Sequence, residues 1–277
     1  MSRQRPSIAE LKKRYLEEGT PLSAAAEEAL RADPRAGVAA ILEAIERRRH
    51  SNRAEGQRLR RMLRYERELW ETGLSRIAGV DEAGMSPLAG PVVAAAVILP
   101  VDCRLVGVDD SKKLDAETRD ELAVEIKGCA IAWGIGVCEP EEIDRLNIYH
   151  AGLLAMHRAV RSLDPVAEAL LVDARRVPDV TVRQQAIIKG DAKSLSIAAA
   201  SILAKTTRDR RMVELDREWP GYGLAQHKGY PVAAHIEALE RLGACPIHRR
   251  SFTPVRKVLG LEAEQTELFP SSRGEVG

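Results

Sequence analysis

The rhythm of apolar positions changes near residue 75. Before it, hydrophobic residues recur at helical spacing among many arginines, as in Leu59, Met62, Leu63, Leu69 and Trp70. Ser7-Ile-Ala-Glu10 has the form of a capping box and opens a short helix. Further helices are expected over Pro21–Ala32 and Arg35–Arg49, broken at Asp33-Pro34, and from about Asn52 to Thr72. From Arg76 onward short apolar runs alternate with helical ones. Strands are expected at Ile77–Val80, Val92–Leu99, Ala130–Val137, Ala169–Val172 and Gln185–Ile188. Helices are expected at Ala116–Lys127, Pro140–Leu163 with a bend near Asn147, Ser194–Trp219 and Val232–Leu242, with Ile247–Val258 irregular. This alternation describes an α/β domain over residues 76–260, preceded by a small all-helical domain over 1–75 and followed by a disordered tail over 261–277.

Composition narrows the picture modestly. A hydrophobic content of 45% with 30% charged residues is that of a globular protein, and 4% aromatics imply a core of Ala, Val, Leu and Ile. No apolar run reaches the roughly 18 residues of a membrane span, and Met1-Ser-Arg-Gln-Arg-Pro6 lacks the apolar core of a signal peptide. Cys103, Cys129, Cys138 and Cys245 show no metal-binding spacing and read as reduced thiols of a cytoplasmic protein. With a net charge of +1, a polyanionic partner must be met by local basic surface or by metal. Residues 1–75 carry 16 Lys/Arg against 12 Asp/Glu. Their arginine-rich face reads equally as a nucleic-acid contact or as a solvated face of mixed ion pairs.

The candidate chemistry lies at strand ends. Asp81 and Glu82 follow the run ending at Val80, Asp173 follows Val172, and Asp191 follows Lys189-Gly190. Adjacent residues of a strand face opposite sides, so Asp81-Glu82 is costly unless the strand ends there or a cation holds both. Four carboxylates gathered at strand ends require a counter-charge. All-oxygen ligation without His or Cys suits Mg²⁺ or Mn²⁺. Two such ions roughly 3.5–4 Å apart can promote phosphodiester hydrolysis.

Asp81-Glu-Ala-Gly84 followed by Pro87-Leu-Ala-Gly-Pro-Val-Val-Ala-Ala-Ala-Val97 resembles the opening signature of ribonuclease HII. The likeness continues in Asp110-Ser-Lys-Lys-Leu114, Leu171-Val-Asp173, Lys189-Gly-Asp191, Ile197-Ala-Ala-Ala-Ser-Ile-Leu-Ala-Lys205, Tyr222–Pro231 and His248-Arg-Arg-Ser-Phe252. The helical N-terminal segment is similar to the extension of longer bacterial members. The resemblance implies a ribonuclease H-like fold, a central mixed sheet flanked by helices. It also implies cutting of RNA/DNA hybrids and of duplex DNA at embedded ribonucleotides, leaving 3′-hydroxyl and 5′-phosphate ends. By the same resemblance Asp81, Glu82, Asp173 and Asp191 are the four metal-binding acids, and Tyr230 packs on the sugar beside the ribonucleotide. Lys112, Lys113, Lys205 and Arg249 are candidate phosphate contacts.

One stretch departs from the family pattern. Gly84-Met85-Ser86 stands where the family has Gly-Arg-Gly or Gly-Lys-Gly, whose backbone grips the ribonucleotide. Met85 removes a cation and Ser86 removes glycine's freedom. A milder departure is Ala174, where glycine commonly follows the third acid. Two alternatives therefore stay open: a related metal-dependent nuclease, or a hybrid-binding protein with weakened catalysis. In the tail, Gln265-Thr-Glu-Leu-Phe269 resembles the short motif by which bacterial repair proteins dock on the sliding clamp, with Gln265, Leu268 and Phe269 as the contacts. A monomer with no membrane partner is expected.

Overall fold

The computed structural model describes residues 5–108, 111 and 114–261. The chain forms two compact units, residues 1–61 and 62–277.

In the first unit the Ser7 hydroxyl accepts from the Glu10 N–H and the Glu10 carboxylate accepts from the Ser7 N–H, completing the expected capping box. Helix α1 (Ile8–Lys12) passes into a π-helical turn at Lys13–Glu17, followed by α2 (Ala24–Arg31) and α3 (Ala36–Met62). Leu11, Tyr15, Leu30, Val38, Ile41 and Ile45 form its core. The two helices expected over 35–72 are drawn differently. The helix runs unbroken through His50-Ser51-Asn52, and the interruption falls at Leu63. Ser51 and Asn52 are weak helix formers, but each costs only a few tenths of a kcal/mol once the helix propagates from both sides. Several arginines of this unit are spent internally. Arg31 pairs with Glu27 and Glu46, Arg35 with Asp33, Arg49 with Glu27, and Arg48 donates to the Tyr15 carbonyl.

The second unit begins before residue 75. Helix α4 (Arg64–Trp70) buries Leu69 against Ile77, Ala169, Leu171, Ile187 and Ile197. Five strands follow: β1 (Ile77–Ala83), β2 (Val92–Ile98), β3 (Ala132–Cys138), β4 (Ala169–Asp173) and β5 (Arg183–Ile187). They form one mixed sheet in the order β3-β2-β1-β4-β5. Pairing is antiparallel for β1/β2 and β2/β3 and parallel for β1/β4 and β4/β5. The helices are α5 (Ala116–Cys129), α6 (Pro140–Leu146), α7 (Ile148–Arg161), α8 (Leu195–Glu218), α9 (Leu224–His227), α10 (Ala233–Leu242) and α11 (Thr253–Val258). The expected bend is Asn147, at φ 67°, whose side chain caps α7. The segment expected to be irregular contains α11, which Pro254 starts in its first turn. Among the described residues, no helix is long and apolar enough to cross a membrane.

Two long helices sandwich the sheet. Ala151, Ala155 and Ala159 of α7 lie in one core with Ala78, Val80, Val92, Ala94, Ala96 and Ile98. On the other side Ile197 of α8 packs with Ile77, Ala169 and Leu171. Small residues let the backbones approach. A Cβ on Gly79 would collide with the main chain of Ser196 and Ile197, and one on Gly136 with the Ala155 carbonyl. The N-terminus of α8 is held from α4, because Glu66 Oε1 accepts from Ser194 Oγ at 2.6 Å, Ser196 Oγ at 2.7 Å and the Ser196 N–H at 3.0 Å. A carboxylate there also complements the helix dipole.

Gly79→Ala tests the close approach of α8. Its obstacle is backbone, which no rotamer change relieves, so a loss of about 3 kcal/mol is expected in urea denaturation.

Candidate active site

The sheet register brings the acids together. β1 and β4 stay paired up to Val80↔Val172, and Asp81 and Asp173 come next on the two strands. The expected end of β1 at Val80 applies only to this flank, since β1 continues beside β2 to Ala83↔Val93. After β5, Lys189 adopts a left-handed conformation and a 3₁₀ turn follows at Gly190–Ala192. That turn folds back on β4, with the Gly190 N–H donating to Asp173 Oδ1 at 2.7 Å. Asp191, buried in the same turn, accepts from the Ala192 N–H.

Strand alternation then separates Asp81 from Glu82. Asp81 is buried on the α8 side, near the Ser201 hydroxyl, which favours its charged form; Ser201 is itself paired with Ser111 at 2.9 Å. Glu82 is half-buried, with the Arg175 guanidinium 3.4 Å away. Burial, and then the charges of Glu82 and Asp173, push the Asp81 carboxyl well above the usual range. Among the described residues, no three His, Cys, Asp or Glu side chains stand close enough together to hold an ion as they are. Mutual repulsion opposes closer approach of the carboxylates without a counter-charge. The all-oxygen donor set nevertheless fits a hard divalent cation, which would relieve that repulsion.

The loop from Gly84 to Pro91 is built around two buried arginines: Arg208, which the sequence did not single out, and Arg249, expected at phosphate. Arg208, from α8, donates to the carbonyls of Pro91, Ala89 and Lys228 at 3.0–3.1 Å. Arg249 donates to those of Gly90, Met85, Gly84 and Pro91 at 2.7–3.2 Å. Gly84 sits at φ 96°, and a Cβ there would strike the Arg208 side chain. Met85 packs half-buried against the α7-side core, whereas Ser86 is exposed and outside the set of residues with positive φ. Ser86 therefore carries no backbone strain.

Arg249 is thus corrected as a phosphate contact, because its guanidinium is fully buried and its donors are spent on carbonyls. Burial, and then the nearby charge of Arg208, lower it to about 9, which still leaves it cationic at neutral pH. Lys205 bonds Asp209 at 2.7 Å and lies 5.7 Å from the Tyr230 ring centroid, which Arg208 also approaches at 5.9 Å. Lys112, Lys113, Gln265, Leu268 and Phe269 lie outside the described residues. The legible signal for Ser201 and Arg208 was their shared face with Lys205, at i, i+4 and i+7 along α8.

Behind Tyr230 runs a chain of histidines. His248 Nδ1 accepts from the Cys245 N–H at 3.1 Å, so its Nε2 carries the proton toward His235 Nε2 at 3.3 Å. His235 must then donate from Nδ1 to the Tyr230 carbonyl at 3.0 Å.

The strand order, the flanking helices and the acids at the ends of β1 and β4 define a protein of the ribonuclease H-like class. The ribonuclease HII family model matches residues 78–255, and the model of the ribonuclease HII N-terminal domain matches residues 7–70. The chain is 60% identical to a ribonuclease HII of Anaeromyxobacter sp. (strain Fw109-5), covering 99% of this chain and 88% of that protein. It is also 60% identical to one of Myxococcus xanthus (strain DK1622), covering 98% and 95%. Among solved structures it resembles the ribonuclease H2 from Pyrococcus horikoshii OT3, with TM-score 0.58 and 28% identity over 66% of this chain and 96% of that one. The chain belongs to the ribonuclease HII family and is a nuclease, a hydrolase.

The histidine chain makes the second unit sensitive to acid. Burial, and then the charge of His235, push His248 down to about 4; burial lowers His235 too, with His227 stacked on it and Tyr222 and Cys245 beside His248. Both rings are neutral when folded. Stability is therefore full above the unfolded value near 6.5 and falls as the pH drops from there toward 4. His248→Gln is expected to shrink that loss by roughly 2–3 kcal/mol, read from urea midpoints across the range.

Proposed function

We propose that the protein hydrolyses the RNA strand of RNA/DNA hybrids and incises duplex DNA at embedded ribonucleotides, leaving 3′-hydroxyl and 5′-phosphate ends. The observation that carries this reading is the convergence of Asp81, Glu82, Asp173 and the Asp191 turn where β1 and β4 lose their pairing. Asp81, Glu82, Asp173 and Asp191 would hold two Mg²⁺ or Mn²⁺ ions. Such ions supply positive charge that activates water and stabilises the leaving oxygen. The chain's own part is positioning. The Gly190 N–H orients Asp173, the Ala192 N–H orients Asp191, and the Ser201 hydroxyl stands near Asp81 and favours its charged form.

Recognition of the ribonucleotide survives the Gly84-Met85-Ser86 departure on a backbone argument. The carbonyls of Gly84 and Met85 point at Arg249. Because a trans peptide sets its N–H opposite its C=O, the N–H groups of Met85 and Ser86 face away from the buried guanidinium. They are the donors suited to a 2′-hydroxyl or the adjoining phosphate, whatever side chain stands at Met85. Tyr230, half-buried, would support the sugar.

Asp81→Asn is expected to abolish cleavage of a duplex with one ribonucleotide while leaving duplex binding within about threefold, because removing a shared ligand costs several kcal/mol in the transition state alone. More than a tenth of the normal rate in saturating Mg²⁺ would contradict the reading.

A second reading concerns a partner. A solved neighbour, 29% identical with TM-score 0.55 over 64% of this chain and 95% of that one, is the PCNA:RNase HII complex from Archaeoglobus fulgidus. Together with Gln265-Thr-Glu-Leu-Phe269 it supports docking of the tail on a sliding clamp. Titration against the clamp of the same organism should give micromolar binding that a Leu268→Ala/Phe269→Ala variant loses; no binding by the intact chain ends the idea.

A further inference from the structure

Arg175 stands two residues beyond Asp173, and the backbone aims it back over the site. Between them Ala174 adopts φ 50°, a left-handed conformation that costs a non-glycine residue roughly 1–2 kcal/mol, and its N–H is tied to the Ile187 carbonyl at 3.0 Å. The guanidinium that results lies among three unlike neighbours. Nη2 is 3.4 Å from Glu82 Oε1, Nη1 is 3.9 Å from Met85 Sδ, and its centre is 5.3 Å from the Tyr149 ring centroid. None of these is a tight bidentate contact. Arg249, with four carbonyls at 2.7–3.2 Å, is by contrast fixed in place. Tyr149 keeps 52% of its surface exposed. A half-buried guanidinium beside an exposed aromatic ring, next to acids that cut a phosphodiester, is the pairing that grips a nucleic-acid backbone.

We infer that Arg175 is a substrate-phosphate contact, parked on Glu82 in the substrate-free protein and released from it when Glu82 turns to a divalent ion. The inference rests on the reading of Glu82 as an ion-holding acid. Its logic is electrostatic. A carboxylate drawn toward a divalent charge no longer holds a guanidinium at 3.4 Å, and the freed cation lies beside the incoming phosphate. Arg175 therefore opposes ion binding in the empty protein and favours duplex binding, two effects of opposite sign. A residue that merely supports the fold would weaken both.

The test uses the full chain and the variants Arg175→Ala and Arg175→Lys, with thermal melts to confirm folding. Calorimetric titration of Mn²⁺ without substrate should show Arg175→Ala binding the ion several-fold more tightly. Anisotropy of a labelled duplex with one ribonucleotide, in Ca²⁺ across a salt series and with the duplex recovered uncut, should show about tenfold weaker binding and a log–log salt slope smaller by about one, the loss of one phosphate contact. Arg175→Lys should recover the slope. Unchanged duplex affinity and slope in Arg175→Ala overturns the proposal, and so does parallel weakening of ion and duplex. If the unaltered protein binds no Mn²⁺, the reading of the acids fails, and the duplex series still decides for or against Arg175 as a phosphate contact.

Discussion

Two buried guanidiniums hold the second unit's functional end together. Among the described residues, Arg208 and Arg249 have no carboxylate hydrogen-bond partner; main-chain carbonyls of the 84–91 loop and of Lys228 take their donors. Burying a charge this way is costly, and truncating either side chain would strand several carbonyls away from water, a penalty of order 3–5 kcal/mol. What the arrangement secures is a loop whose peptide planes have one orientation. Arg208 reaches it from α8 and Arg249 from the segment before α11, so three distant parts of the chain meet on one set of carbonyls.

Helix α8 is the common support. Its first turn is tied to Glu66, Ser201 stands near Asp81, Lys205 and Arg208 lie over Tyr230, and Arg208 continues into the loop. The helix can serve all of these because it lies close to the sheet, over Gly79. Bulky side chains between helix and sheet would hold α8 away from β1 and move Ser201 away from Asp81. The Ala-rich, aromatic-poor composition is thus the material of a thin interface that carries polar groups inward.

The two sides of β1 do different work. On the α8 side Asp81 is buried near the Ser201 hydroxyl. On the α7 side Glu82 meets a long guanidinium resting on a thioether and an aromatic face. A pair of adjacent acids is divided by the pleat into one carboxylate buried against α8 and one that faces a guanidinium. The same division explains why Met85 is tolerated in the loop, since its side chain packs into the α7-side core and its backbone remains held.

Local pattern was enough for the strands, the capping box at Ser7, the bend at Asn147 and the acids at the ends of β1 and β4, because each depends on residues adjacent in the chain or one helical turn apart. The family resemblance rested on the same contiguous motifs. Local pattern misplaced the helix break to residues 50–52, where weak formers are overridden by propagation, and gave no sign that Glu66 would meet Ser194 and Ser196 or that Leu69 would pack on the sheet. It also gave Arg249 to solvent. An arginine written between His248 and Arg250 carries no local sign that its donors will meet carbonyls 158 to 165 residues earlier. Charge, burial and left-handed backbone at Ala174 are likewise settled by long-range packing, and it was there, in the tertiary structure, that Arg175 and the histidine chain behind Tyr230 were decided.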